Sequence, residues 1–330
     1  MTFVKRLPKL RFDQLLVCGV LLAVLIIAPM TEGRTEPVAE PPVPVYQIAS
    51  APVPYISGTS DTELGIIAQA QAASNSAWTP EQLTASGAAV IDLNSGAILF
   101  EKNPRQLLYP ASTTKLMTAL VARELFELDQ VATIAAVPKV AGASIGFLNG
   151  EQVTIESLLK AALIQSGNEA AMLLSEQHPN GPEAFVAHMN VKAKQLHLSD
   201  TQFSNVMGFD GPQHYSTARD LALLSRAFMQ DSFLRETVGT KTTTISDTRG
   251  WYRHQIWNTH QLLNPEAGVV GIKTGTTDGA LEVLITQLEK NDIGILVVVL
   301  GSQDRYADTR NLLEWVAREY KWLENPSEVE

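Results

Sequence analysis

Ser112 and Lys115 stand three residues apart in the stretch from Pro110 to Met117. Positions i and i+3 of a helix share a face, so the lysine amine can reach the serine hydroxyl and take its proton. The chemistry requires a neutral amine. An ordinary lysine must lose about 3 pKa units to serve near neutral pH, at a cost of roughly 4 kcal/mol, and burial beside a second cation can lower it that far. Alone, the pair is more readily a helix start carrying a solvated lysine, because such spacing arises by chance in many helices.

Two further short stretches change that weight. Ser166-Gly167-Asn168 follows an apolar helical run that ends near Gln165, and puts a hydroxyl and an amide at a helix terminus where packing needs neither. Lys273-Thr274-Gly275-Thr276 continues an apolar strand, where an inward lysine is costly unless paired. Gly275 removes the side chain that would hold another backbone away. Each stretch alone reads as a helix stop or a strand end. In this order, about 50 and 100 residues apart, they point jointly to a serine acyltransferase.

Other candidates are weaker. Gly142-Ala143-Ser144-Ile145-Gly146 has the letters of an esterase nucleophile elbow, yet Phe147-Leu148-Asn149-Gly150 follows where a helix is required, so it reads as a glycine-rich loop near the site. The six histidines show no metal-ligand spacing, so neither a metal nor a cofactor is expected. Trp251, Tyr252 and Trp257 could line a groove, although packing is the more ordinary role.

These groups need a scaffold. Two apolar runs around Asn94-Ser95-Gly96 predict a hairpin. Helices are predicted over residues 112–128, 154–165, 169–176, 183–196 and 217–229, the last with Thr217 and Asp220 as a capping pair. Strand-like runs follow at "VVGIKTG", "LEVLITQLE" and "IGILVVVLGS", then a helix over 308–323. Strands at both ends bracket a helical middle. The expected fold class is therefore α+β: an antiparallel sheet with flanking helices and an inserted helical lobe.

The 330 residues are 45% hydrophobic and 18% charged, enough for a substantial core. The formal charge of -10 argues against nucleic acid as a partner. Lys5, Arg6, Lys9 and Arg11 precede an apolar run from Leu15 to Met30, so residues 1–33 read as a signal peptide or membrane anchor. The single cysteine, Cys18, follows Val17 where a lipoprotein signal wants a small residue. Residues 34–85, rich in proline and alanine, read as a tether that spans roughly 40 Å as a coil. The folded domain is expected over 86–323, with an acidic tail at 324–330. Export places it outside the inner membrane, in the periplasm or wall.

The three stretches resemble the signature set Ser-x-x-Lys, Ser-Asp-Asn and Lys-Thr-Gly of penicillin-binding proteins and class A β-lactamases. With "IDLNSGAILFEKNPRQLLYPASTTKLMTAL", "SGNEAA", "STARDLALL" and "GIKTGTT", the chain resembles low-molecular-mass penicillin-binding proteins, the D-alanyl-D-alanine carboxypeptidases and their endopeptidase relatives, from about Gly87 to Leu323. The resemblance implies a β-lactamase/transpeptidase-like fold, peptidoglycan stem peptides as substrate and β-lactams as covalent inhibitors. It implies Ser112 as nucleophile, Lys115 as base and Ser166 as proton relay. Asn168 would hold Lys115 and the substrate amide, Lys273 would be the second cation, Thr274 would meet a carboxylate, and the N–H groups of Ser112 and Thr276 would form an oxyanion hole across the close approach at Gly275.

The sequence also departs from that pattern. Gly167 stands where the wider superfamily often has Asp, and "TTDGALEV" follows the third motif where relatives place Ala-Gly. The chain ends soon after the last helix, as in the endopeptidase branch, which leaves cross-bridge cleavage open. A β-lactamase is a further alternative, weakened because Glu176 and Asn180 follow Ser166 too closely to form a deacylation loop. A catalytically idle wall-binding protein is the last, and the intact Ser112, Lys115 and Lys273 speak against it.

Overall fold

The computed structural model describes residues 78–263, 266–320 and 322. The expected export segment and acidic tail, and the tether up to residue 77, lie outside the described residues. Among those described, no helix is long and apolar enough to cross a membrane.

Five antiparallel strands form the central sheet. They are β1 (Gly87–Asp92), β2 (Ile98–Lys102), β7 (Val269–Thr277), β8 (Leu281–Lys290) and β9 (Ile293–Ser302), in the order β2-β1-β9-β8-β7. The β1–β2 turn closes as its sequence predicts: the Asp92 carboxylate accepts the Ser95 N–H at 2.8 Å, and Gly96 takes a φ of 77°. β1 then lies between β2 and β9, so among the described residues the first strand pairs with the last.

The near-continuous apolar run of β9 shows that both faces of the sheet are covered. Leu296, Val298 and Leu300 join one apolar cluster, and Ile295, Val297 and Val299 the other. The period of two repeats in β1, with Ala89 and Ile91 against Ala88 and Val90. Each buried Leu, Ile or Val among them stabilises the fold by about 1.5–3 kcal/mol.

The lobe between β2 and β7 holds six helices: α1 (Thr114–Leu125), α2 (Ile155–Ile164), α3 (Asn168–Glu176), α4 (Gly181–Gln195), α5 (Ala218–Phe228) and α6 (Ser232–Gly239). It also holds two ribbons, β3 (Val131–Thr133) with β4 (Gln152–Thr154), and β5 (Thr242–Ser246) with β6 (Arg253–Trp257). The last helix, α7 (Arg305–Glu319), places Leu312 and Val316 against the second face of the sheet. The expected α+β architecture is present.

Several local expectations need correction. The predicted helix at residue 112 opens as a 3-10 turn over Ala111–Thr113, because Ala111 has a φ of 48° that no α-helix accepts. Thr217 caps α5 by accepting the Asp220 N–H at 3.1 Å, but Asp220 does not reach back. Its carboxylate instead accepts the Asp200 N–H and the Thr201 hydroxyl, and burial pushes it up. Helix α6 is short and the β5–β6 hairpin buries only Ile245 and Ile256, too few to show a period in sequence.

The compositional boundary at residue 85 falls inside packed chain. Leu83 and Ala85 are buried, and the Asp308 carboxylate accepts the Thr84 N–H at 3.1 Å, the Thr84 hydroxyl at 2.7 Å and the Ala85 N–H at 2.9 Å. A short segment next to a linker can still be sealed into a core by a buried carboxylate far along the chain, which composition does not register.

Candidate active site

The site begins with a turn held from two sides. Ala111 and Ser112 sit under β7 where Gly275 crosses: a Cβ on Gly275 would lie 2.8 Å from Ala111 Cβ and 2.9 Å from Ser112 N. Gly208 presses from the lobe side. The turn therefore has one shape, with the half-buried Ser112 hydroxyl at the first turn of α1.

Lys115, one turn on, has no exposed surface. Its ammonium nitrogen lies 2.9 Å from Ser112 Oγ, 2.7 Å from Asn168 Oδ1 and 2.9 Å from the Met207 carbonyl. Burial first, and the nearby Lys273 second, hold its pKa well below that of an ordinary lysine, while Glu169 pulls the other way. An amine kept neutral in this way, at hydrogen-bond distance from a serine, is competent to take its proton.

The second stretch leaves α2 through Ser166, whose φ of 64° turns the chain into α3. Gly167 is required at that bend, because a Cβ there would lie 2.8 Å from Ile145 Cγ1. Asn168 faces Lys115 and donates its amide to the Ala141 carbonyl at 2.6 Å. Gly142 leaves room for that amide, since a Cβ on it would fall 2.7 Å from Asn168 Nδ2.

Lys273 points inward from β7 and is 1% exposed. It donates to Ser166 Oγ at 3.0 Å and to the Thr274 carbonyl at 3.1 Å. Burial, then the Arg305 guanidinium, lowers its pKa to about 7. Thr274 shares a 2.6 Å hydroxyl contact with Thr259. Thr276, exposed, meets Arg305 Nη1 at 2.7 Å.

The structure thus brings Ser112, Lys115, Ser166, Asn168, Lys273, Thr274, Gly275 and Thr276 into one site. The Ser112 N–H lies where β7 crosses the turn, 2.9 Å from the position of a Cβ on Gly275. Three contributors were not legible from motifs. Arg305 starts α7 and donates from Nη1 to the Gly275 carbonyl at 2.8 Å and to Thr276 Oγ1 at 2.7 Å, so a cation faces the end of β7. Glu169 is buried beside Lys115 and fastens the glycine-rich loop, accepting the Ser144 hydroxyl at 2.6 Å and the Gly146 N–H at 3.1 Å. Ser144 is thereby a loop-holding hydroxyl, bonded to the Glu169 carboxylate. The third, Thr259, arrives from the end of the β5–β6 hairpin. An arginine 32 positions after Lys273, and a glutamate next to Asn168, carry no local signal of their shared destination.

Among the described residues, no three His, Cys, Asp or Glu side chains gather to hold a metal.

The model of the peptidase S11 family, described as D-alanyl-D-alanine carboxypeptidase, matches residues 71–304. The Bacillus subtilis D-alanyl-D-alanine carboxypeptidase DacF is 31% identical over 72% of this chain and 63% of its own, so the chain spans less than two-thirds of that relative. A Pseudomonas aeruginosa D-alanyl-D-alanine endopeptidase is 32% identical over 72% of this chain and 78% of its own. Among solved structures, the Streptomyces K15 DD-transpeptidase superposes with a TM-score of 0.68 at 27% identity, covering 72% of this chain and 98% of that one. The ampicillin-bound penicillin-binding protein D2 of Listeria monocytogenes gives 0.63 at 28% identity, covering 71% and 97%. The matched span holds all three motif stretches in order, and on that ground the chain belongs to the peptidase S11 family, described as D-alanyl-D-alanine carboxypeptidase.

Proposed function

We propose that this protein is a serine D,D-peptidase of the bacterial cell envelope that hydrolyses D-alanyl-D-alanine bonds of peptidoglycan stem peptides through an acyl-enzyme. The observation that carries the reading is the buried, depressed Lys115 amine 2.9 Å from Ser112 Oγ.

Ser112 attacks the carbonyl between two D-residues as its proton passes to Lys115. The N–H groups of Ser112 and Thr276 receive the oxyanion, a contribution of about 3 kcal/mol per donor in such sites. Ser166, hydrogen-bonded to Lys273, relays a proton to the departing amine, and the C–N bond breaks as the ester forms. Asn168 holds the acyl-side amide. The carboxylate next to the departing amine is met by the Thr274 and Thr276 hydroxyls and by the Arg305 guanidinium, whose Nη1 lies 2.7 Å from Thr276 Oγ1. Water then hydrolyses the ester.

β-Lactams acylate the same serine in this reading. A second reading, cleavage of the D,D cross-bridge, is favoured by likeness to the Pseudomonas endopeptidase over most of that protein's length. The basic and apolar segment before residue 33 provides export or anchoring.

Labelled penicillin and purified muropeptides test the proposal, with Ser112→Ala alongside. Stable label that disappears in the variant, together with released D-alanine, is the expected result. Absence of both label and hydrolysis refutes the enzymatic reading, and rapid penicillin turnover would make the protein a β-lactamase.

A further inference from the structure

Three of the five tryptophans, Trp78, Trp315 and Trp322, pack into the apolar layer under α7. The other two, Trp251 and Trp257, belong to the β5–β6 hairpin and its turn, and are 70% and 57% exposed. The expectation that these aromatics pack is therefore wrong for both. Along β6, Arg253, Gln255 and Trp257 face solvent while Ile256 is buried, so the hairpin presents an indole outward by its register. A single exposed leucine needs no explanation, but two exposed indoles on one hairpin do.

Their position supplies one. The Trp257 N–H donates to Gln165 Oε1 at 3.3 Å, and Gln165 directly precedes Ser166. Two residues further on, Thr259 Oγ1 lies 2.6 Å from Thr274 Oγ1. The backbone at Trp257 thus runs past Gln165, the neighbour of Ser166, and reaches Thr274 two residues on, on the side of the groups that serve the departing amine and its neighbouring carboxylate. The acyl side is bordered by Asn168 and the 141–146 loop instead.

The hairpin is also fixed in place. Asp247 Oδ1 accepts the N–H of Trp251 at 2.7 Å and of Tyr252 at 3.1 Å. The Arg249 guanidinium lies 4.2 Å from the centre of the Trp251 ring and donates to the Gly150 carbonyl at 2.8 Å. Glu151, fully buried, meets His254 Nε2 at 2.9 Å. Surfaces ordered before a ligand arrives lose less entropy on binding it.

We propose that the outward face of this hairpin, from Trp257 through Gln255 to Trp251, is a leaving-group subsite that takes the second stem peptide of a D,D cross-link. The inference rests on the peptidase reading and deepens it. Free D-alanine ends in one methyl group and one carboxylate, and the end of β7 with Arg305 is enough to hold it. An amine that belongs to a neighbouring stem peptide carries an aliphatic chain and further peptide groups past that point. An indole offers such a chain an apolar face and one N–H donor. The seven residues from Trp251 to Trp257, six steps along the chain, span at most about 20 Å, the length of roughly six extended peptide residues. The bond changes are those already given: the serine ester forms, the C–N bond to the neighbouring stem breaks, and that amine leaves with the proton relayed through Ser166.

The test compares a cross-linked muropeptide dimer with a monomeric pentapeptide muropeptide, using the full chain and its Trp257→Ala, Trp257→Phe and Trp251→Ala variants. The dimer-to-monomer ratio of kcat/KM is expected to fall about tenfold in Trp257→Ala, through KM, to recover to within about threefold in Trp257→Phe, and to fall less in Trp251→Ala. Calorimetric binding to Ser112→Ala gives a readout without turnover: its Kd for the dimer should weaken about tenfold when Trp257→Ala is added. An unchanged ratio, or equal losses on both substrates, overturns the subsite. If the parent protein acylates with penicillin and cleaves monomer while Ser112→Ala fails to bind dimer, the subsite is wrong and the peptidase stands. If no acylation occurs, the peptidase reading fails, and the dimer Kd still decides whether the hairpin binds.

Discussion

Gly208 abuts Ala111 so closely that a Cβ on Gly208 would lie 1.8 Å from the Ala111 carbonyl oxygen, and both residues hold positive φ, 98° and 48°. The turn that presents Ser112 is shaped by this contact on one side and by Gly275 on the other. Gly208→Ala should destabilise the protein by more than about 3 kcal/mol and cut penicillin acylation at least a hundredfold. Gly275→Ala, with contacts of 2.8 and 2.9 Å, should slow acylation with a smaller loss of stability. A melting curve and an acylation rate for each variant decide it, and normal acylation in Gly208→Ala would remove the steric argument.

Lys115 should not tolerate replacement by arginine. Arginine keeps the charge but cannot give up its proton in a protein, so Lys115→Arg should lose about as much acylation as Lys115→Met, on the order of a thousandfold. Mass spectrometry of the penicillin adduct over time measures both. Retained activity in Lys115→Arg would mean that another group takes the serine proton.

The titration of Lys273 links pH to stability and rate. Its folded pKa of about 7 lies below its unfolded value, so between pH 7 and 10.5 the unfolded chain binds a proton that the folded one lacks. Stability from this group is full above the unfolded pKa and falls as pH drops toward 7, by roughly 5 kcal/mol over the window. Denaturant titrations at pH 7 and 10 should show that slope shrinking in Lys273→Met. Arg305→Ala removes one of the causes that depress Lys273, so the limb of the acylation profile near pH 7 should move upward, with a raised KM for carboxylate-bearing peptides.

Two buried histidines predict weakness in acid. Burial lowers His214 and His260 to about 4. The Ser204 N–H donates to His214 Nδ1, so Nε2 carries the proton that reaches Thr114 Oγ1 at 2.8 Å, directly beside the Ser112 turn. The folded pKa is depressed in both cases, so each contribution is complete above about 6.5 and disappears as pH falls through 4, roughly 3 kcal/mol apiece. Chemical unfolding at pH 7 and 4.5 reads this directly, and a flat profile in the parent protein would contradict it.

Asp308 should be one of the costlier single positions away from the site. It is buried and accepts four hydrogen bonds, from Thr84 N, Thr84 Oγ1, Ala85 N and Ser302 Oγ. Asp308→Ala leaves those donors unpaired and should cost about 3 kcal/mol or more. Amide exchange at Ala85 should speed up in step with the lower melting temperature.

The helices and strands that carry Ser112, Ser166 and Lys273 were legible because each is long, apolar and periodic, and because the motifs sit at their ends. What stayed hidden has a common physical cause. Arg305, Glu169 and Thr259 gain their importance from contacts between segments far apart in sequence, and their local surroundings resemble an ordinary helix start, helix turn and loop. The β5–β6 hairpin has one buried residue per strand, so no period announces it. The packed segment at Leu83 to Ala85 is sealed by Asp308, more than 220 residues away, and reads as linker when taken alone.

The placement of β1 between β2 and β9 sets the order in which this molecule can assemble. The β1–β2 hairpin keeps one open edge until residues 293–302 have been supplied, and the Ser112 turn has nothing to lean on until β7 crosses it. Pairing across some 200 residues makes for a high contact order and slow closure of the sheet. No amino-terminal fragment can therefore display a working serine. A chain lacking those late strands stays an unarmed polymer, and the serine turn takes its shape only when β7 and β9 are both in place.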